Sequence, residues 1–332
     1  MTPDTSAFRR WAGTCDQMIV GRDLISHDWN LEGPHLVNAF HGTTHDFQAF
    51  SLERSTHAAQ FGKVHYFTSC AIDAESNYAG EDGPDLKNRI DHRCEQLEDE
   101  IEHDLDAAGL PEDASCEAIT ARARELAQQE LLGNTPQVFE LCLRLNKPFV
   151  IDATGLKDRN VFEEQFDYSD AMQTVSDEHN ITLEELQENE SEYEDLIYEA
   201  LDAAHIDLHE TLTQGLIMAS FQLGCDTPDL PDFIDPLSEV TCNRFERFFK
   251  EDDKICCLEN EEGDLVSGTL FAALVEHLGY DSIVLLNADK RFRTMNMMPG
   301  TTHIHLMGSA RAQVKSLENL GNYDPADPNI YA

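Results

Sequence analysis

The stretch NAFHGTTHDFQAFS, residues 38–51, holds the first side chains of the chain that could act on a ligand. His41 and Gly42 follow directly on a short apolar run. A glycine at the end of a strand lets a ligand approach the backbone closely, because no side chain blocks the way. The sequence therefore predicts a ligand-binding position at this histidine and glycine. Phe47 and Phe50, just beyond, are expected to pack the following loop onto the core.

Short apolar runs predict the strands that would position these residues. They lie at residues 36–40, 62–68, 138–145, 149–151, 281–286 and 303–307. Helical spacing predicts helices at 73–79, with Asp73 as the N-cap, within 87–132, and at 270–278, which Gly279 ends. Strands in two groups, with helices between them and no regular β-α-β alternation, indicate an α+β fold.

Residues 155–260 differ from the rest in composition. Between Asp158 and Thr213 the only strong base is Arg159, among many Asp and Glu residues. Thr182 and Glu185 form a capping box before a helical stripe of apolar residues. We therefore predict an acidic, mainly helical insertion at 155–260, which separates the two halves of one domain, 1–154 and 261–332.

The charge balance limits the partners of the chain. It has 23 Lys and Arg residues against 64 Asp and Glu residues, a formal net charge of -41. Such a chain repels nucleic-acid phosphates, which argues against direct nucleic-acid binding. The acidity fits three roles: a solvated surface, which is the simplest, a surface for a basic partner, or mimicry of nucleic acid.

The cysteines and the apolar runs indicate the cellular compartment of the protein. Nine cysteines are scattered without a C-x-x-C pair, which argues against a disulfide framework and a zinc site and predicts a reducing compartment without a bound metal. No signal peptide is recognised near Met1, and no run of eighteen apolar residues occurs. We therefore expect a cytoplasmic protein without a membrane span.

Six segments, in one order along the chain, carry a resemblance to a known family. They are FHGT at 40–43, GKVHYFTS at 62–69, ESNYAG at 75–80, VFELCLRLNKPFVID at 138–152, HLGYDSIVLLN at 277–287, and THIHLMGSARAQVKSLENLGNYDPADPNI at 302–330. Together they resemble the ADP-ribosyltransferase fold of the diphtheria-toxin and poly(ADP-ribose) polymerase type, the H-Y-E class, and its bacterial and phage-encoded members most closely. The resemblance covers roughly half of the chain. It implies a split β-sandwich of mostly antiparallel strands that encloses a cleft.

The resemblance implies that NAD is the substrate, and it gives roles to five residues. His41 would hydrogen-bond a ribose hydroxyl, and Gly42 would offer its backbone N–H and C=O to the carboxamide. Tyr66 and Tyr78 would hold the nicotinamide ring and its ribose, since aromatic faces suit a flat, partly cationic ring. Thr43 falls in the same NAD-binding group, with turn capping as its alternative role.

One position departs from the family pattern. In the class a glutamate stands before the final strand, binds the ribose 2′-hydroxyl and stabilises charge at the reacting carbon. Here Thr302 stands at that position, and threonine carries no charge. This argues against growth of poly(ADP-ribose) chains and leaves single transfer. The resemblance thus assigns catalytic roles to His41, Tyr66 and Thr302, with Glu75 or Glu318 as alternative acids.

The leading hypothesis is an NAD-dependent mono-ADP-ribosyltransferase that modifies a macromolecular target, as a phage or bacterial effector of a toxin-like kind would. The target would be a protein, and the acidity of the chain favours a basic one. Two alternatives remain open. The first is an NAD glycohydrolase, which uses water as the acceptor. The second is a catalytically inactive ADP-ribosyltransferase-like fold that serves as an acidic binding module.

Overall fold

The structure of the chain is a computed structural model, and it describes residues 6–154, 168–182 and 267–331 together with residues 185, 186, 193, 196 and 218. Within the long ranges it leaves out residues 14, 16, 32, 56–60, 81–82, 133–135, 291–294, 296 and 320–322. Most of the predicted acidic insertion, 155–260, therefore lies outside the described residues.

Eight strands join in one hydrogen-bonded sheet. They are Met18–Ile19 (β1), His35–Thr43 (β2), His65–Thr68 (β3), Gln137–Leu145 (β4), Pro148–Asp152 (β5), Ser282–Leu286 (β6), His303–Leu306 (β7) and Val314–Ser316 (β8). The strand order is β5-β6-β7-β3-β2-β4-β8, and β1 pairs with β2 off this path. Each predicted apolar run forms a strand, as expected for runs that can bury both faces or one face of a sheet.

The structure also contains the helices that the sequence predicts between the strands. Six α-helices have bounds that the structure describes: Ser6–Ala12 (α1), Ala71–Asp73 (α2), Pro84–His103 (α3), Cys116–Leu131 (α4), Tyr168–His179 (α5) and Ser267–His277 (α6). A π-helix, Ala74–Ala79, continues α2 directly. Short 3₁₀ turns lie at Gly21–Ile25, Leu52–Arg54, Ala288–Lys290 and Gly308–Gln313. The mixed α+β class predicted from the sequence is confirmed.

The resemblance implies two packed sheets, but the structure has one sheet, because β2 joins the strands on both of its sides. On one side β2 pairs antiparallel with β4 from His35–Leu145 to Thr43–Gln137. On its other side it pairs with β1 and then with β3, at the single position Phe40–Thr68. The strands on both sides are thereby joined through β2 into one sheet.

The main core lies against one face of this sheet. Val37 and Ala39 of β2 alternate with residues of the opposite face, as the period of two along a strand requires. They pack with Phe67 and Ile304, which are directly opposite each other in the β3–β7 pair. Phe50 is buried in the same cluster, and Phe47 packs against it. This confirms the expected packing role of the two phenylalanines.

Two helices that follow the π-helix form a hairpin with a core of its own. Leu97 and Ile101 of α3, which lie in the region 87–132 predicted to be helical, are buried in a cluster with residues of α4. Ser115 caps α4 by accepting a hydrogen bond from the backbone N–H of Ala118. Arg93 on α3 pairs with Glu130 on α4 at 2.9 Å, so charged side chains join the two helices on the outside.

The chain divides into two compact units. The first comprises Met1–Ser51, His65–Val150 and Val284–Ala332, and it holds the predicted site residues. The second comprises Leu52–Val64 and Ile151–Ile283. In the second unit the backbone N–H of Glu185 donates to Thr182 Oγ1 at 3.2 Å, which confirms half of the expected capping box. The division of the chain into two half-domains and an insertion stays a prediction.

A buried lysine, Lys315, holds the chain around residues 327–329 through hydrogen bonds. Lys315 of β8 is fully buried, and its Nζ donates to the carbonyl oxygens of Asp327 and Asn329 at 2.8 and 2.9 Å. The next residue, Ser316, donates its backbone N–H to the carbonyl of Ile330 at 2.8 Å. The ammonium is thus matched with backbone acceptors, as a buried charge requires. The lysine and serine of the QVKS segment therefore have a structural role.

Candidate functional site

His41 sits at the point where β2 and β3 part. No further ladder pair joins these strands beyond Phe40 and Thr68. Instead, His41 Nδ1 lies 2.7 Å from the carbonyl oxygen of Tyr66. A carbonyl only accepts, so the proton is on Nδ1. Burial lowers the pKa of His41 to about 4; the hydrogen bond to Tyr66 opposes this shift and the charge of Arg89 adds to it. At neutral pH the imidazole is therefore uncharged, and Nε2 is left as an acceptor.

The ring of His41 faces the core side of the sheet. Its centroid lies 5.6 Å from that of Phe47, 5.0 Å from that of Phe50 and 5.8 Å from that of Phe67. The side chain is half-buried, so part of it stays open to solvent. These phenyl rings exclude water around the imidazole, which explains its lowered pKa.

Gly42 leaves space that the π-helix fills. A Cβ built on Gly42 would lie 2.0 Å from the carbonyl oxygen of Ala74 and 2.9 Å from Cβ of Tyr78. No real Cβ tolerates such distances, so only glycine fits at this position. A second close approach lies at Gly83, where a Cβ would meet the carbonyl oxygen of Asn77 at 2.6 Å. The π-helix is thus held between the end of β2 and the start of α3.

Tyr66 and Tyr78 lie on the face of the sheet opposite the ring of His41. Tyr66 is directly opposite His305 in the β3–β7 pair, with their ring centroids 4.9 Å apart. Tyr78 lies 6.1 Å from His303, which in turn lies 6.1 Å from His305. Four rings therefore run continuously from one predicted tyrosine to the other. The contact between Gly42 and Tyr78 places the glycine backbone beside this row.

The short helix before Tyr78 corrects one prediction. Asp73 is not an N-cap, because the helix begins earlier, at Ala71. Its fully buried carboxylate instead binds His303, with 3.1 Å between Asp73 Oδ2 and His303 Nε2, and accepts from Asn77 Nδ2 at 2.5 Å. Burial alone would raise the pKa of Asp73, but hydrogen bonds from His303, Thr68 and Asn77, together with the charge of His303, outweigh it and lower that pKa.

Thr302 lies directly before β7, and its side chain is enclosed in the protein. Its backbone N–H donates to Ser69 Oγ at 2.9 Å, and its carbonyl accepts from the backbone N–H of Ser69 at 2.8 Å. The side chain is fully buried, and Oγ1 finds no hydrogen-bond partner in the described part of the chain. The hydroxyl predicted to act on a ribose therefore lies inside the protein in this structure.

The remaining predicted residues lie near the site or on its surface. Thr43 Oγ1 accepts from the backbone N–H of His45 at 3.1 Å, which is the turn-capping alternative. Thr44 donates its hydroxyl to the carbonyl of Leu131 at 2.9 Å. Glu75 and Glu318, the alternative acids, are both exposed.

Two further histidines were missed as site residues. His65 is buried beside Phe50, and burial lowers its pKa to about 4, with the charges of His41 and Arg311 adding to this shift. His305 is also buried, and burial followed by the charge of His303 holds its pKa well below the usual range. The alternation His-Ile-His in β7 was the available signal, because residues two apart on a strand share one face.

The arrangement can hold a flat ring and a hydroxyl. Tyr66 and Tyr78 offer aromatic surfaces on one face of the sheet, beside the backbone of Gly42. His41 offers a neutral acceptor on the other face, at the point where β2 and β3 part. The described residues contain no group of three or more His, Cys, Asp or Glu side chains able to hold a metal ion. None of the described helices combines the length and apolar character needed to cross a membrane.

Comparisons with known proteins leave the geometry as the basis for a function. No protein-family model, no curated protein and no solved structure matches this chain significantly. The proposals that follow therefore rest on the contacts, burial and charges described above, together with the six sequence segments. The established points are the mixed α+β class and the positions of the individual side chains.

Proposed function

We propose that this chain is an NAD-dependent mono-ADP-ribosyltransferase that modifies a macromolecular target. The observation that carries the proposal is the meeting of Gly42, Tyr66 and Tyr78 on one face of the sheet, where β2 and β3 part. The two tyrosines are 12 residues apart in sequence, and a row of two further rings links them. A flat aromatic ligand fits such a surface.

The histidine at the parting of the strands supports the same proposal. His41 is neutral at physiological pH, because its pKa is about 4, and its Nδ1–H is committed to the Tyr66 carbonyl. Its Nε2 then has one lone pair with which to accept a hydrogen bond from a hydroxyl. A ribose hydroxyl is such a donor. Because the imidazole lies on the opposite face of the sheet from the tyrosines, it would orient the sugar of a ligand that passes through the gap where β2 and β3 part, and it would add no positive charge there.

In the proposed reaction the bond between the ribose C1′ and the nicotinamide nitrogen breaks. Nicotinamide leaves as a neutral molecule with the electron pair of that bond, and positive charge develops on the ribose. An oxygen or nitrogen atom of the target then bonds to C1′ and loses its proton. Tyr66 and Tyr78 hold the leaving ring, and the backbone of Gly42 lies beside them, with the π-helix filling the space of its missing side chain.

The absence of charge at Thr302 limits the proposed activity to one ADP-ribose per acceptor. A buried threonine supplies no negative charge at the sugar, whereas a carboxylate would stabilise the developing cation. We therefore assign transfer of a single group, and not chain growth. The same observation favours a second candidate function, an NAD-binding module without transferase activity, because the Thr302 hydroxyl is enclosed in the protein.

The target is proposed to be a basic protein. The formal net charge of -41 attracts positively charged partners over the range set by salt screening, about 8 Å at physiological ionic strength. Binding of such a target should weaken as the salt concentration rises. NAD binding, which depends on ring contacts and hydrogen bonds, should depend less on salt.

One set of assays separates the candidates. Calorimetry measures NAD binding to the intact chain, and release of nicotinamide is followed with and without a cell lysate. Transfer of label from NAD to lysate proteins supports the transferase, and release that is independent of lysate supports a glycohydrolase. Binding without either reaction supports the inactive module. An intact, folded chain that does not bind NAD at millimolar concentration refutes all three.

Tyr78→Ala and His41→Ala are the variants for these assays, and Tyr280→Phe is a control in the second compact unit. The tyrosine variant should weaken NAD binding, and the histidine variant should lower turnover at least as much. The control should change neither quantity. Unchanged affinity and turnover in both site variants would remove His41 and Tyr78 from the site.

A further inference from the structure

The face of the sheet that carries Tyr66 and Tyr78 also carries a carboxylate that the proposed reaction has not used. Glu140 of β4 is directly opposite Phe40 of β2, and Phe40 is directly opposite Thr68 of β3. Residues opposite each other in antiparallel strands project from the same face of the sheet. Thr68 shares its face with Tyr66, because the two are two residues apart on one strand. Glu140 therefore lies on the tyrosine face.

The contacts of Glu140 agree with this position. Phe139 and Leu141, its neighbours in β4, are buried in the main core on the other face, whereas Glu140 is exposed. Its Oε1 accepts a hydrogen bond from Asn38 Nδ2 at 3.0 Å. Asn38 is only 7% exposed, so a buried amide holds the exposed carboxylate in one place.

Glu140 and Phe40 lie between two covered parts of the tyrosine face. On one side, Leu36 of β2 and Cys142 of β4 are buried in a cluster with residues of α1. On the other side, the π-helix approaches Gly42 so closely that no side chain fits there. Phe40 lies between Leu36 and Gly42 on β2, and it is only half-buried. The phenyl ring and the carboxylate are thus open to a ligand beside the π-helix.

This open position is next to the proposed site of the nicotinamide ring. Gly42 follows Phe40 by two residues on β2, so it is the diagonal neighbour of Glu140 in the β2–β4 pair. Diagonal neighbours of this kind lie about 7–8 Å apart. Tyr78 packs directly against Gly42, with its Cβ 2.9 Å from a Cβ built on the glycine. A group bound by Glu140 would therefore lie beside a ring held by Tyr78.

A carboxylate beside a half-buried phenyl ring suits a guanidinium group. A guanidinium is planar and cationic, so it stacks on an aromatic face and forms two parallel hydrogen bonds with a carboxylate. Each carboxylate oxygen accepts two hydrogen bonds, so both oxygens of Glu140 can accept further bonds besides the one from Asn38. In the described part of the chain, no lysine or arginine forms an ion pair with Glu140.

We propose that Glu140 and Phe40 bind the guanidinium of an arginine on the target, and that this arginine accepts the ADP-ribose. This inference rests on the proposed function and names the acceptor within the basic target. The bond between C1′ and the nicotinamide nitrogen breaks, and its electron pair leaves with nicotinamide. A terminal nitrogen of the guanidinium bonds to C1′ and gives one proton to the carboxylate of Glu140, which releases it to solvent. The modified guanidinium keeps its single positive charge.

The first test uses the native chain, labelled NAD and two pentapeptides. One is Gly-Gly-Arg-Gly-Gly, and the other has citrulline in place of arginine. Citrulline has the length and planarity of arginine but no charge, so the pair isolates the contribution of the charge. We expect label on the arginine peptide and none on the citrulline peptide. Label on both, or label on lysate proteins but on neither peptide, overturns the arginine assignment and leaves the transferase in place.

The second test replaces the carboxylate. Glu140→Gln keeps the size of the side chain and an oxygen that accepts from Asn38. The KM for the arginine peptide should rise about tenfold, the order of effect of one charged hydrogen bond. The kcat should fall about 100-fold, because the proton acceptor is lost. Native values of both constants overturn the inference. So does a loss of NAD affinity in calorimetry as large as the rise in KM, because the carboxylate would then belong to the NAD site.

Two further variants complete the design. Glu95→Gln removes the same charge from α3, where the side chain is 79% exposed, so it should label the arginine peptide at the native rate. Phe40→Leu removes the aromatic face and should raise the KM for this peptide about threefold. Thermal melting of each variant reports whether the fold is retained. A native chain that labels neither a peptide nor any lysate protein overturns the proposed function and this inference together.

Discussion

Replacement of Gly42 by alanine tests how closely β2 and the π-helix pack. The added methyl group would lie 2.0 Å from the carbonyl oxygen of Ala74, which is backbone and cannot rotate away. To reach a tolerable separation the two segments must part by about 1 Å. Overpacking of this kind costs about 1–3 kcal/mol of unfolding free energy. Tyr78, which follows in the same segment, would move with Ala74.

Two measurements follow from the expected displacement. Urea unfolding should show the loss of stability, and calorimetry should show loss of NAD binding, because a displacement of about 1 Å at a binding site can lower activity about 100-fold. Gly109→Ala is the control, since a Cβ there meets nothing within 4 Å. That control carries only the cost of its left-handed φ of 73° and should bind NAD normally. Native stability and native NAD binding in Gly42→Ala would show that the packing described above is wrong.

Three other substitutions test separate parts of the site. Tyr78→Ala should weaken NAD binding by about 1–3 kcal/mol in calorimetry, whereas Tyr78→Phe should keep most of the affinity, because the ring contact carries it. Thr302→Val should be neutral or raise the unfolding free energy by about 1 kcal/mol in urea, since it replaces a buried hydroxyl that has no partner in the described chain; a loss above 1 kcal/mol would mean that the hydroxyl is bonded. His65 has a pKa of about 4 in the folded chain and about 6.5 unfolded, so its contribution to stability is present above pH 6.5 and is lost as the pH falls toward 4. Urea unfolding at pH 7 and pH 4.5 should therefore show a smaller loss in His65→Gln than in the native chain, and an equal loss would contradict the lowered pKa.

The strands and the long helices could be predicted from the sequence, and the reason is physical. Apolar runs such as 282–286 are buried over their whole length and leave few alternatives to a core strand. Leu97 and Ile101 repeat with the period of a helix and have no other way to share one buried face. In these segments the local pattern and the tertiary packing agree.

The details of the site depend on contacts that no local pattern contains. Aspartate is a common N-cap residue, which is why the sequence predicts that role for Asp73. Its carboxylate instead forms a hydrogen bond with His303, which is 230 residues away in the sequence. The π-helix differs from an α-helix by a small change in hydrogen bonding, with the N–H of Gly80 bonded to the carbonyl of Glu75, and the apolar period does not distinguish the two. Burial of the Thr302 side chain likewise follows from the packing around Ser69, and not from its own sequence.

The pairing of β3 with β7 has a consequence for biosynthesis. The hydrogen bond between Ser69 and Thr302 spans 233 residues, so β3 leaves the ribosome long before its partner strand exists. Until then one edge of β3 offers open backbone groups, and nascent chains with such edges are prone to aggregate and to need chaperones. Pairings this distant in sequence also slow folding. The row of rings from Tyr66 to Tyr78 therefore cannot assemble before residues 303–306 have been synthesised.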